Sequence, residues 1–204
     1  MEDVLEVYKR PYDPAFPVVC LDETNRQLIE ETRKAVPVRP GRSRRTDFEY
    51  RRRGVVNLFM MFEPLAAKRQ VKLSQQRTRK DWSECVRDLV DVYYPEAEKV
   101  VLVEDNLNTH TVGSLYETFE SEEARRLAEK LELHYTPKHG SWLNMAEIEI
   151  GVLSRQCLSQ YISTKEKMCR EVAAWEQKRN QANATVDWQF TTGNAPIKLK
   201  RLYP

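Results

Sequence analysis

The chain has 204 residues, 31% of them charged and 9% aromatic, with a formal net charge of +2. That length and balance suit one well-filled core with at most a small appendage, and they argue against a disordered chain. No apolar run approaches the roughly 18 residues of a membrane span, the acidic N-terminus lacks a signal-peptide core, and four scattered cysteines point to reduced thiols in a cytoplasmic protein.

In chain order, "PVVCLDE" (17–23) is the first strand candidate, an apolar run ending on Asp22 and Glu23. A basic segment follows. Between Arg33 and Arg53 nine arginines and lysines face two acids, with Pro37, Pro40 and Gly41 marking it as loop or irregular insertion. Phe48 and Tyr50 are interleaved with these cations, a pattern suited to a phosphate backbone; a solvated loop is the alternative. "VVNLFMMFE" (55–63) and "KRQVKLS" (68–74), parted by Pro64, predict a hairpin. Trp82, Val86, Leu89, Val90 and Tyr93 recur at helical spacing over 79–94. A strand at 99–104, a helix over 112–131 and a short strand at 131–137 come next. Two helices, 141–161 and 165–182, close the pattern before a tail without period. Consecutive strands followed by strand and helix units predict a mixed α/β sheet with helices on its faces.

Two apolar strands end on aspartate, Asp22 and Asp105. If those strands are neighbours, the carboxylates repel unless protonated or bridged by a hard divalent cation. Capping of strand-to-helix turns is the ordinary alternative use of Asp. A third ligand is available on the helix "HGSWLNMAEIEIGVLSRQC" (139–157), whose apolar stripe is Leu143, Ala146, Ile150, Leu153 and Cys157. Glu147 and Glu149 flank that stripe on opposite sides, so periodicity does not choose between them. Glu147 shares its flank with the small residues Gly151 and Ser154, which leave room for a substrate.

Taken together, "CLDET" (20–24), "DNLNTH" (105–110) and "YTPKHGSWLNMAEIE" (135–149) resemble the signatures of DDE transposases, in the bacterial insertion-sequence branch of the mariner-like group. The similarity extends through "GVVNLFMMFEPL" and "KLKRLYP". The resemblance implies a ribonuclease H-like fold, a mixed five-stranded sheet of three antiparallel strands and then parallel strands flanked by helices, with the first and fourth strands adjacent. It implies catalytic and metal-binding roles for Asp22, Asp105 and Glu147, the last because the family's acid stands three residues after a Leu-Asn pair, here Leu143 and Asn144. The interval from Asp105 to Glu147 is longer than the group's usual spacing, which keeps Glu149 as a substitute. Two Mg²⁺ ions, with Mn²⁺ as substitute, would serve phosphodiester cleavage at element ends and strand transfer into target DNA. The implied setting is a homodimer on transposon ends and target DNA, nucleoid-associated in a bacterium. Residues 1–16 would be a linker to a missing helix-turn-helix domain that reads the ends. Residues 17–204 would be the catalytic domain with a basic insertion at about 26–54.

Around the triad, Asn106, His110, His139 and Glu149 are candidate supporting residues. Arg39, Arg42, Arg44, Arg45, Arg51, Arg52, Arg53 and Lys138 are candidate DNA contacts. Trp142 reads as packing rather than base stacking, Trp175 and Trp188 as core or interface aromatics, and Cys157 as buried. A non-catalytic DNA-binding remnant and a structure-specific nuclease of the same fold are the rival functions.

Overall fold

In the computed structural model, which describes residues 1–32, 41, 49–138 and 140–195, the first strand β1 (Val18–Glu31) lies at the centre of a sheet. It pairs antiparallel with β2 (Tyr50–Glu63), which pairs antiparallel with β3 (Lys68–Ser74). On its other side β1 runs parallel to β4 (Val100–Glu104), and β4 parallel to β5 (Leu131–Tyr135). The five strands thus follow the order β3-β2-β1-β4-β5, the expected mixed sheet with the first and fourth strands adjacent.

Pleating sends alternate residues to two cores. Cys20, Leu58, Met60, Phe62, Val101 and Val103 face one side, covered by α1 (Glu2–Val7), α5 (Met145–Gln156) and α6 (Lys165–Gln181). Val19, Leu21, Phe59, Met61, Val100 and Leu102 face the other, beneath α2 (Arg79–Asp88), α3 (Val112–Thr118) and α4 (Ser121–Glu129). Each fully buried aliphatic contributes about 1.5–3 kcal/mol of transfer free energy, so the central strands are fixed from both sides. Among the described residues no helix is long and apolar enough to cross a membrane.

The structure differs from the sequence reading at four places. The expected linker contains α1, whose Val4, Leu5 and Val7 are buried in the first core; a helix of six residues is too short to show a period. The irregular insertion expected from residue 26 is instead strand at both ends. Residues Ile29, Glu30 and Glu31 pair with Arg52, Arg51 and Tyr50. Between Gln27–Val55 and Ile29–Arg52 one residue of β1 opposes two of β2, and Gly54 takes φ +109° at this bulge. The ribbon's β2 side is wholly exposed, which hid it from an apolar-pattern reading. The single helix expected over 112–131 is two, parted at Phe119, with Glu122 and Glu123 favouring a fresh N-terminus. The helix expected from 141 begins at Met145, after one 3₁₀ turn, Ser141–Leu143.

Candidate active site

Asp22 stands where β1 passes the end of the parallel pair; Val18, Val19 and Cys20 are matched with Val101, Leu102 and Val103. Opposite it lies the N-terminus of α5. The buried Asn144 accepts from the Ala146 N–H at 3.1 Å, capping that helix, and donates through Nδ2 to the Leu21 carbonyl at 2.7 Å. One side chain therefore ties the first turn of α5 to the strand residue before Asp22. From below, the Tyr8 hydroxyl donates to the Leu143 carbonyl at 2.8 Å. Glu147 sits exposed in that first turn.

The Asp22 carboxyl is pushed up to about 7, by burial first and then by the charges of Glu23, Asp105 and Glu147, against the pull of the Glu23 N–H on Oδ1. Asp105 and Glu147 thus both act on Asp22. Glu149 turns away from them. It is fully buried and held by Arg179, with Nε donating to Oε1 at 2.6 Å and Nη2 to Oε2 at 3.0 Å, and by Arg69 at 3.0 Å. Two cations already occupy it, so it does not substitute for Glu147 here.

Asp105 follows β4 on a loop closed by His110. The His110 Nδ1 lies 2.7 Å from Asp105 Oδ1, an ion-pair distance out of line for a hydrogen bond, and Nε2 lies 3.4 Å from Glu23 Oε2. The ring stacks on Trp82 with centroids 5.9 Å apart, and the Trp82 indole donates to Glu104 Oε2 at 2.8 Å. Burial disfavours a charged imidazole, yet the contacts with Asp105 and Glu23 outweigh it and bring His110 up to about 10. Burial pushes Glu104 up to about 8, despite His110 and Trp82. Glu23, Glu104, Trp82 and Asn144 were not named as site residues. The strand alternation at Asp22–Glu23 and the Leu-Asn pair were the available signals.

Asn106 is exposed on the Asp105 loop, and Lys138 is exposed after β5. Arg51, Arg52 and Arg53 are exposed on β2, with Arg53 paired to Glu30 at 2.6 Å. His139 and Arg39, Arg42, Arg44 and Arg45 lie outside the described residues. Trp142 packs edge-on against Phe190 at 5.1 Å, Trp175 and Cys157 are buried, and Trp188 packs on the same core.

Among the described residues no lysine or arginine is paired with Asp22, Asp105 or Glu147. Asp105 Oδ1 and Glu23 Oε2 are buried without a hydrogen-bond partner. Glu23, Asp105 and His110 each bring one ligand atom within 4.8 Å of the others. The orphaned Asp105 Oδ1, beside Asp22 and Glu147 with no basic partner on these acids among the described residues, fits a hard divalent cation.

A family model described as DDE superfamily endonuclease matches residues 17–169, the stretch carrying all three acids. The chain belongs to that superfamily. Solved structures share its ribonuclease H-like fold. The Mos1 mariner paired end complex with Mn has a TM-score of 0.58 at 16% identity, over 88% of this chain and 54% of that one. The Mos1 strand transfer complex gives 0.58 at 15%, over 88% and 53%. The pre-cleavage Mos1 transpososome gives 0.55 at 14%, over 88% and 58%. This DDE superfamily chain spans just over half the length of those Mos1 chains. No curated protein matches it.

Proposed function

We propose that this chain is the catalytic domain of a DNA transposase, in which Asp22, Asp105 and Glu147 hold two Mg²⁺ ions, with Mn²⁺ as substitute. The observation that carries the reading is the electrostatic pressure of Asp105 and Glu147 on Asp22 at the carboxyl end of the parallel strand pair, with no arginine or lysine among the described residues paired to relieve it. Divalent cations held there supply the positive charge that in-line phosphodiester displacement requires at its attacking and leaving oxygens. The protein supplies the geometry: β1 fixes Asp22, the His110 loop fixes Asp105, and Asn144 fixes the turn that bears Glu147. The exposed Arg51, Arg52 and Arg53 and Lys138 would meet flanking phosphates. The paired end and strand transfer complexes solved for Mos1 support cleavage at element ends followed by strand transfer. A homodimer served by a helix-turn-helix region is the assembly this reading adds.

Calorimetric Mn²⁺ titration of the chain and of Asp105→Asn tests the ligand assignment. Wild-type binding and a loss of at least about 100-fold in the variant are expected, beyond what an outer-shell change causes. Equal affinity sinks the assignment. Incubation with DNA bearing the element's ends then separates the rivals. Cutting without joining indicates a nuclease, and salt-dependent binding indifferent to metal indicates a non-catalytic remnant.

A further inference from the structure

Asp22 and Glu23 are consecutive on β1, so the pleat sends their side chains to opposite faces of the sheet. Asp22 shares its face with Cys20 and α5, and Glu23 shares its face with Leu21 and α2. Glu23 has 5% of its side chain exposed, His110 2% and Glu104 none, so this back face of the site is dry. A carboxylate stays there only with a partner, and among the described residues Glu23's ion-pair partner is His110.

We propose that Glu23 and His110 form a bridge through the end of the sheet that orients Asp105. The proposal rests on reading Asp105 as a cation ligand. Asp105 lies beyond β4 and has no strand pairing of its own. Its loop depends on His110, whose N–H donates to the Leu107 carbonyl at 3.0 Å and whose carbonyl accepts from the Tyr135 hydroxyl at 2.9 Å. The imidazole presents Nδ1 to Asp105, both to Oδ1 at 2.7 Å and to its backbone carbonyl at 3.3 Å, with Glu104 Oε2 farther off at 3.8 Å. It presents Nε2 to Glu23. A cation shared by Glu23, Asp105 and His110 would have to sit against a single ring nitrogen. The two carboxylates instead address different nitrogens, so the ring acts as a spacer between them. Stacking on Trp82, itself anchored to Glu104, keeps the ring from rotating out of that role. Glu23 and His110 are therefore positioning residues, acting through Asp105 on one of its oxygens.

Glu23→Gln, which keeps the shape and removes the charge, tests the bridge in two measurements. In the metal-free chain, hydrogen exchange of the amides from Asp105 to Thr111 should quicken by about tenfold or more as the loop loosens. In calorimetry, Mn²⁺ affinity should fall about 10–100-fold, the range for outer-shell partners of a ligand, with the number of bound ions unchanged. His110→Gln should move both readouts the same way, and adding it to Glu23→Gln should cost little more, because the two act as one unit. Unchanged exchange overturns the bridge, as does unchanged Mn²⁺ affinity in a chain that binds the ion. Loss of one bound ion overturns it differently, by making Glu23 a ligand itself. If the wild type takes up no Mn²⁺, the ligand reading fails, while loop exchange still decides the bridge.

Discussion

Two charged clusters are anchored two residues apart on α5, at Glu147 and Glu149, and they are built on opposite rules. Around Glu149 the charges are matched. Arg69 and Arg179 grip it, Glu176 acts on Arg69 from α6, and Arg69 Nη1 reaches Asn180 Oδ1 at 3.0 Å. Around Glu147 they are not, since Asp22, Glu23, Glu104 and Asp105 crowd the same end of the sheet with His110 the one cation paired against them among the described residues. A buried cluster whose charges balance locks elements together. One left in deficit of positive charge is held ready for a cation that the fold does not itself provide.

The largest effect should come from unbalancing the matched cluster. Glu149→Gln leaves Arg69 and Arg179 buried without their counter-charge, and about 3–5 kcal/mol of stability should go with it. Denaturant unfolding followed by fluorescence measures this as a lowered midpoint with an unchanged slope. Replacing Arg69, Glu149 and Arg179 together by apolar residues of similar volume should cost less than the single change. A mild Glu149→Gln phenotype would mean that the clasp does not set the position of α5.

The unbalanced cluster should respond with the opposite sign. Asp22 is protonated up to about pH 7 when folded, against an ordinary carboxyl value near 4. Between those values the folded chain binds more protons than the unfolded one, so metal-free stability falls as pH rises from 5 to 7. Asp22→Asn should therefore stabilise the metal-free protein at pH 7 by on the order of 2 kcal/mol, allowing for its partial exposure, and change little at pH 4. Glu104, pushed up to about 8, keeps part of the slope in the variant. His110 contributes stability that is complete below about pH 6.5 and is lost only toward 10, mostly above this window. Thermal melts at both pH values, with EDTA and with Mn²⁺, read the effect. Destabilisation by Asp22→Asn at pH 7 in EDTA would remove the charge-deficit argument.

The contrast also separates what was legible in the sequence from what was not. The buried strands announced themselves through runs such as Val100–Val103 and Leu58–Phe62, because a strand covered on both faces must be apolar throughout. With them came the sheet and the places of Asp22 and Asp105. Glu147 and Glu149 could not be told apart by period, since they flank the stripe symmetrically. The arginines that claim Glu149 come from β3 and α6, and only the fold brings them there. Glu23 carried a local signal in the strand alternation, but its partner His110 lies on a distant loop. The outer half of β1 was invisible because its β2 partner residues are exposed, leaving no apolar face to detect.

That ribbon carries the smallest effect on stability and the sharpest test of what cations outside the cluster do. Arg51 and Arg52 are exposed, and Arg53 is engaged with Glu30, so substituting the first two by Ala should shift unfolding by no more than about 0.5 kcal/mol. If they hold DNA phosphates, each removes about 0.9 from the slope of log affinity against log salt, whereas Arg53→Ala removes less because its guanidinium is shared with a carboxylate. Anisotropy titrations of a short duplex at several salt concentrations give that slope directly. An unchanged slope for the Arg51 and Arg52 variants would take the ribbon out of the DNA interface. A drop comparable to that of Arg53→Ala would mean that the Glu30 pair does not hold its arginine back from phosphate. The site itself should be indifferent to these changes, since its deficit of positive charge is set by Asp22, Asp105 and Glu147 and not by the ribbon.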